Sequence, residues 1–205
     1  ELINFAINDG AQIITISMAA PQINAEFEDV LNAALSRAIN QGVIVVTGMG
    51  NTSTDNDGAS FASRNGFVGV SAVNLDGSFA LDYSSFGYSV TTAAFGGPIK
   101  VRDYEKGSIG DMRGTSIATP IVAASLALAR QKWPDATSNQ LLQSLIHTGL
   151  SPQHEWNHYT GYGPIDIGAL VNTDPSQYPD ENPVIHKSDD AFPTAEMTRD
   201  YKDGR

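Results

Sequence analysis

Ser116 stands where its surroundings would make it a nucleophile. The run Gly114-Thr115-Ser116-Ile117-Ala118-Thr119-Pro120 leads from a loop directly into a long helical pattern. That places the Ser116 hydroxyl near the positive end of a helix. Free backbone N–H groups at such an end stabilise negative charge as it develops on a substrate oxygen. Gly114 permits a sharp turn beside a bound substrate. Ala118 is small enough for close packing under the site. Pro120 is expected within the first helical turn, where its missing N–H costs nothing. The chemistry such a serine suits is attack on a carbonyl carbon. Taken alone, the same letters also read as an ordinary Ser or Thr helix cap, so the surrounding elements decide between the two.

Leu2, Ile3, Phe5, Ala6 and Ile7 predict a helix over Glu1–Asp9, stopped at Gly10. Ile13, Ile14, Ile16 and Met18 predict a short buried strand. Helical periodicity runs through residues 25–41, with Asn24 as N-cap and Gly42 as the stop. Val43–Thr47 is a nearly continuous β-branched run, as in parallel strands covered on both faces. Residues 48–60 form a Gly-rich polar loop at that strand's end, where open α/β sheets bind ligands. A further strand is expected over 67–73, and short strand-like pieces over 74–113. Helices are expected over 116–133, stopped by Pro134, and over 137–147, capped by Thr137. The segment GYGPIDIGALV (161–171) reads as a turn entering a short helix.

This alternation of helix and strand with short links predicts an α/β fold: a parallel sheet with flanking helices and right-handed crossovers. Residues 1–172 are expected to form one domain portion. Residues 173–205, rich in Pro and charge, are expected to form an extended or disordered tail or linker.

The chain has 205 residues, 41% of them hydrophobic, a net charge of -11 and no cysteine. That acidity argues against nucleic acid and anionic membranes as partners, because phosphate binding needs clustered Lys and Arg. Without cysteine there are no disulfides, no thiolate catalysis and no thiolate zinc sites. No stretch approaches the length of a membrane span.

Five segments together resemble the subtilisin-like serine proteases, the subtilases. GTSIATP (114–120) is similar to their nucleophile motif. VIVVTGMGN (43–51) is similar to their apolar strand ending in Ala-Ala-Gly-Asn, and GAQIITISMAAP (10–21) to their strand ending in Ser-Leu-Gly. SSFG (84–87) and GYGPIDIGALV (161–171) resemble their Ser-Ser-x-Gly and closing segments. All five occur in the family's order.

The resemblance implies a subtilisin-like fold and peptide-bond hydrolysis. It implies Ser116 as nucleophile, with Asn51 and the Ser116 N–H as oxyanion donors. It implies substrate binding by Ser17, Met18 and Ala19 on one side and by Gly48, Met49 and Gly50 on the other. A secreted or extracytoplasmic location goes with it.

Ala19 stands where the family has Gly, and Gly48-Met49 where it has Ala-Ala, a change expected to alter the pocket. The family places its Asp and His upstream of the Ser-Leu-Gly segment. His147, His154, His158 and His186 all follow Ser116, and none has the family's His context. The chain therefore reads as an incomplete domain, its N-terminal part missing, whose partner is the rest of the same peptidase domain. A non-catalytic subtilase relative acting in binding or regulation is the alternative. The family often binds calcium; Asp55, Asp57, Asp82 and Asp103 lie in loops, but no calcium-loop pattern assigns ligands.

Overall fold

The computed structural model describes residues 1–18, 25–56, 62, 66–103, 105, 107–151 and 155–185, with backbone alone for 25–29. Ala19, Asn24, Asp57, His154 and His186 lie outside the described residues. The elements follow in the order α1 (Leu2–Asn8), β1 (Ile13–Ile16), α2 (Ala25–Asn40), β2 (Ile44–Gly48), β3 (Val68–Val73) and β4 (Val90–Phe95). Then come β5 (Ile99–Arg102), β6 (Ile109–Met112), α3 (Thr115–Lys132), α4 (Ser138–His147), α5 (Ile167–Asn172) and a 3₁₀ turn, Pro175–Gln177.

Strands β1 to β4 form one parallel sheet in the order β1-β2-β3-β4, and β5 pairs antiparallel with β6. The expected parallel sheet with flanking helices is thus observed.

Alternation along β2 builds a core on each face. Ile44 and Val46 join Val68, Val70 and Ala72 in a core with Ala118, Val122, Leu126 and Ala129 of α3 and Leu141, Leu142 and Leu145 of α4. Val43 and Val45 point the other way, into a core with Ile7 of α1 and Leu35 and Ala38 of α2. A strand residue's side chain alternates between faces, so a continuous apolar run is what two covered faces require. Each of these buried aliphatic side chains contributes about 1.5–3 kcal/mol.

β1 has the same composition as an interior strand yet pairs on one side only, with β2, from Ile13↔Ile44 to Ile16↔Thr47. Its other edge is open in the described structure. Beside it runs a groove of about 950 Å³ lined largely by apolar residues, among them Leu2, Ile14, Ile16, Met18 and Leu31.

Two expected boundaries move in ways that matter. β1 ends at Ile16, so Ser17 and Met18 leave the sheet as exposed chain. α3 starts at Thr115, one residue earlier than its pattern indicated, and Pro120, its sixth residue, lies beyond the first turn, as it would from a start at Ser116. Its missing N–H therefore does carry a cost: it removes the helical partner of the Ser116 carbonyl. Elsewhere the local chemistry matches the pattern. Thr137 caps α4 in a reciprocal capping box with Gln140. Asp166 caps α5 by accepting from the Ala169 N–H at 2.8 Å.

Residues 174–185, within the segment expected to be a tail, run along α4. Tyr178 stacks on His147 at 4.7 Å between ring centres. Asp180 accepts from Thr137 Oγ1 at 2.6 Å and Asn139 Nδ2 at 2.9 Å. Val184 is buried in the main core.

Candidate active site

Because β1 and β2 pair in parallel register, Ser17–Met18 and Gly48–Gly50 emerge side by side at the C-terminal ends of their strands. The loop after β2 then carries Asn51 across to the start of α3. There Asn51 Oδ1 accepts two hydrogen bonds from Thr115, from its N–H at 2.8 Å and from its Oγ1 at 3.2 Å. Two donors converging on one atom identify it as the oxygen, so the Nδ2 donor is left facing away from them. Thr115 Oγ1 also accepts from the Gly50 N–H at 3.2 Å. One buried threonine thereby binds both the β2 loop and the Asn51 side chain.

Gly114 joins the two groups of interest. Its φ is +155°, and a Cβ built on it would lie 2.9 Å from Asn51 Nδ2 and 3.2 Å from Ser116 Oγ. The amide and the hydroxyl therefore lie within about 6 Å of each other across a site that only glycine leaves open. The Gly114 N–H is tied to the Gly96 carbonyl at 2.8 Å, which fixes the turn against β4.

The N–H groups of the first turn of α3 divide their work. That of Thr115 goes to Asn51, and that of Ile117 to the Gly114 carbonyl at 3.0 Å. The Ser116 N–H and the Ser116 Oγ have no hydrogen-bond partner among the described residues. Ser116 is half-buried and Asn51 exposed, so a ligand can reach both. A free backbone N–H at a helix N-terminus, a side-chain amide and a hydroxyl around one opening are the parts an oxyanion-stabilising site uses.

The residues expected to bind substrate divide into two kinds. Ser17 and Met18 are exposed and line the groove along β1, while Ala19 lies outside the described residues. Gly48, Met49 and Gly50 are buried. Gly48 lets β2 approach α3, since a Cβ there would come within 2.9 Å of both Thr115 Oγ1 and Thr119 Oγ1. The Met49 side chain is fully buried, in a cluster with Ala62 and Val90. Its N–H donates to the Val70 carbonyl at 2.9 Å, and its own carbonyl accepts from Asn56 Nδ2. Met49 therefore supports the loop from beneath rather than presenting its side chain at the surface.

Sequence reasoning passed over Thr115, although it lies inside the quoted motif. It also passed over Ser85, whose Oγ accepts from the Thr52 N–H at 3.1 Å and holds the far side of the Asn51 loop. Next to the site, Arg113 lies 5.2 Å from the Tyr83 ring centre and is ion-paired with Asp82. Burial, and secondarily the Asp82 charge, push the Tyr83 hydroxyl above its ordinary range.

Of the histidines, His147 ends α4 with its Nδ1 at 2.8 Å from the Gln143 carbonyl. His158 packs against Tyr88 and Trp156. Neither bonds to Ser116. Among the described residues no three carboxylate or imidazole groups converge as a metal cage would require. Asp82 is taken up by Arg113, and Asp103 accepts from the Glu105 N–H. Among the described residues no helix is long and apolar enough to cross a membrane.

Thr115→Val keeps the shape of the side chain but leaves the Gly50 N–H without its buried acceptor and Asn51 with one tether. The expected result is a loss of about 1–3 kcal/mol of stability and about a tenfold fall in kcat for any reaction that uses Asn51 Nδ2. Chemical denaturation and steady-state kinetics on the same variant check the two parts.

The family model described as the subtilase family matches residues 1–163. A thermostable alkaline protease of Halalkalibacterium halodurans is 31% identical over 147 residues, covering 71% of this chain and 38% of the relative. Subtilisin BL of Lederbergia lenta is 29% identical over 150 residues, covering 73% of this chain and 53% of the relative. The crystal structure of MycP1 with its N-terminal propeptide removed superposes with a TM-score of 0.72 at 25% identity, covering 87% of this chain and 67% of that one. The chain spans about half the length, or less, of these two curated relatives.

Proposed function

The chain belongs to the subtilase family, and from that membership we propose that it carries the nucleophile and oxyanion site of a serine endopeptidase. Ser116 Oγ attacks the scissile carbonyl of a polypeptide. Its proton passes to a histidine oriented by an aspartate, both supplied by a segment or chain outside residues 1–205. The oxygen of the tetrahedral intermediate takes hydrogen bonds from Asn51 Nδ2 and the Ser116 N–H. Collapse of the intermediate expels the amine, which receives the proton, and leaves an acyl ester on Ser116. Water then hydrolyses the ester by the same route.

The observation that carries this reading is the convergence of Asn51 Nδ2 and Ser116 Oγ on the cleft kept open by Gly114. The exposed segment Ser17–Met18 suits pairing with an extended substrate backbone, next to the loop of Gly48, Met49 and Gly50. The open edge of β1 and its apolar groove support the need for more polypeptide of the same domain. An unpaired edge of interior composition is otherwise an aggregation hazard. A secreted or extracytoplasmic location and a polypeptide substrate belong to the same proposal.

A fluorophosphonate probe tests it, because phosphorylation of a serine with loss of fluoride requires a base to take the hydroxyl proton. The intact protein, containing the segments that supply His and Asp, is expected to be labelled at Ser116. The isolated 205-residue chain is expected to stay nearly unlabelled. An intact protein that resists the probe would leave the non-catalytic reading, which the lack of a histidine beside Ser116 among the described residues favours. Strong labelling of the isolated chain would overturn the external supply of the base.

A further inference from the structure

Arg130 has no role in the site described above, and its surroundings are unusual for a cation. It lies near the C-terminal end of α3, half-buried, with its Nε shielded from water and without a hydrogen-bond partner. Its Nη2 donates to Ser138 Oγ at 2.6 Å, and Ser138 Oγ donates in turn to the Gly42 carbonyl. The guanidinium is thus held in one orientation by α4 and by the turn after α2. It forms one wall of a cavity of about 410 Å³, completed by Gln12, Ile13, Ala127, Gln131 and Pro134.

No carboxylate lies within ion-pair distance of it among the described residues. Its hydrogen-bond partner is Ser138 of α4, and the polar residues that share the cavity lining with it are Gln12, just before β1, and Gln131 of α3, all of them neutral. Burial already pulls its pKa below the ordinary arginine value.

Gln12 and Ile13 bring the cavity to the beginning of β1, whose one pairing among the described strands is with β2. Polypeptide that continues the sheet past β1 would roof this cavity and remove the remaining water from the guanidinium. A buried charge without a counter-charge is strongly unfavourable, whereas a hydrogen-bonded pair is tolerated. A guanidinium fixed in orientation also suits the planar geometry of a carboxylate.

We propose that Arg130 is a docking residue whose guanidinium takes an Asp or Glu side chain from the polypeptide that packs beyond β1, and so fixes that segment in register against α3. The proposal rests on the reading that the sheet is continued past β1, and it names the chemistry that the continuing segment must present.

The test compares Arg130→Met with Arg130→Lys in the intact protein. Methionine keeps the apolar stem and removes the charge. If a carboxylate is paired there, Arg130→Met strands it and lowers Tm by about 10 °C, while Arg130→Lys recovers about half of that loss. If no carboxylate pairs with the guanidinium, Arg130→Met costs no more than the lost hydrogen bond to Ser138, a fall in Tm of under about 4 °C, and the proposal is wrong. Should Arg130→Met fail to fold, a crystal structure of the unmodified intact protein decides: an Asp or Glu oxygen within about 4 Å of the guanidinium is expected, and its absence refutes the pair. Fluorophosphonate labelling of Ser116 reads the protease assignment separately. A labelled protein with a harmless Arg130→Met refutes the docking role alone, and an unlabelled protein with a paired Arg130 refutes the protease reading alone.

Discussion

Ser116→Ala in the intact protein is expected to lower kcat on a peptide substrate by about 10⁶, a magnitude measured for the nucleophile of subtilisin, a member of this family. It is expected to leave stability within about 0.5 kcal/mol of the parent. The second expectation comes from the geometry. The Ser116 hydroxyl accepts and donates no hydrogen bond among the described residues, and the residue is half-buried, so its removal leaves neither an orphaned partner nor a closed cavity. The structural bonds at this helix end belong to Thr115. Activity and stability should therefore separate completely at position 116 and fall together at position 115. Residual hydrolysis of Ser116→Ala above the rate in water is also expected, because Asn51 Nδ2 and the backbone N–H at 116 remain in place. A loss of only a few-fold in kcat would remove Ser116 from the chemistry. Unfolding of the variant would mean that the hydroxyl has structural partners.

The parts of this molecule that were legible in its letters are those fixed by local chemistry. The run Val43–Thr47 read as a parallel strand with both faces covered, and Ile44–Gly48 is such a strand. Thr137 was legible as the N-cap of α4, and it caps that helix in a capping box with Gln140. Gly114 was legible as a sharp turn, though not which side chains it admits. What the letters did not reveal depends on pairs far apart in sequence. The tether between Thr115 and Asn51 spans 64 residues, and nothing local to either residue specifies it. Met49 was expected in a substrate wall because it sits in the loop motif; that its side chain is buried with Ala62 and Val90 was not legible there. Pro120 was misplaced by a miscount: from a start at either Thr115 or Ser116 it lies past the N–H groups that a helix start leaves unpaired, so its missing N–H does remove a hydrogen bond. Val184 and Tyr178 carry no periodic pattern, yet they pack against the main core and His147. Isolated apolar residues among prolines give no signal until the surface they cover is known.

Asn51→Leu is expected to lower kcat by about 10²–10³, again the magnitude measured in subtilisin for loss of the corresponding donor, with KM changed by less than about threefold. The amide donor acts on charge that exists only after attack, so its loss should appear in turnover and not in substrate affinity. Leucine, however, also removes Oδ1, which holds the Thr115 N–H at 2.8 Å. Part of any effect would therefore come from a loosened helix start. Asn51→Asp separates the two functions. A carboxylate keeps an acceptor for the Thr115 N–H and gains from the helix dipole, so stability should match or exceed that of the parent. The same carboxylate has no donor and sets a negative charge against the developing oxyanion, so kcat should fall at least as far as in Asn51→Leu. If Asn51→Asp retains substantial turnover, Nδ2 is not an oxyanion donor and the convergence at Gly114 serves only to fasten the loop to α3. If both variants raise KM and lower kcat equally, Asn51 binds the substrate's ground state, and stabilisation of the oxyanion rests on the Ser116 N–H alone.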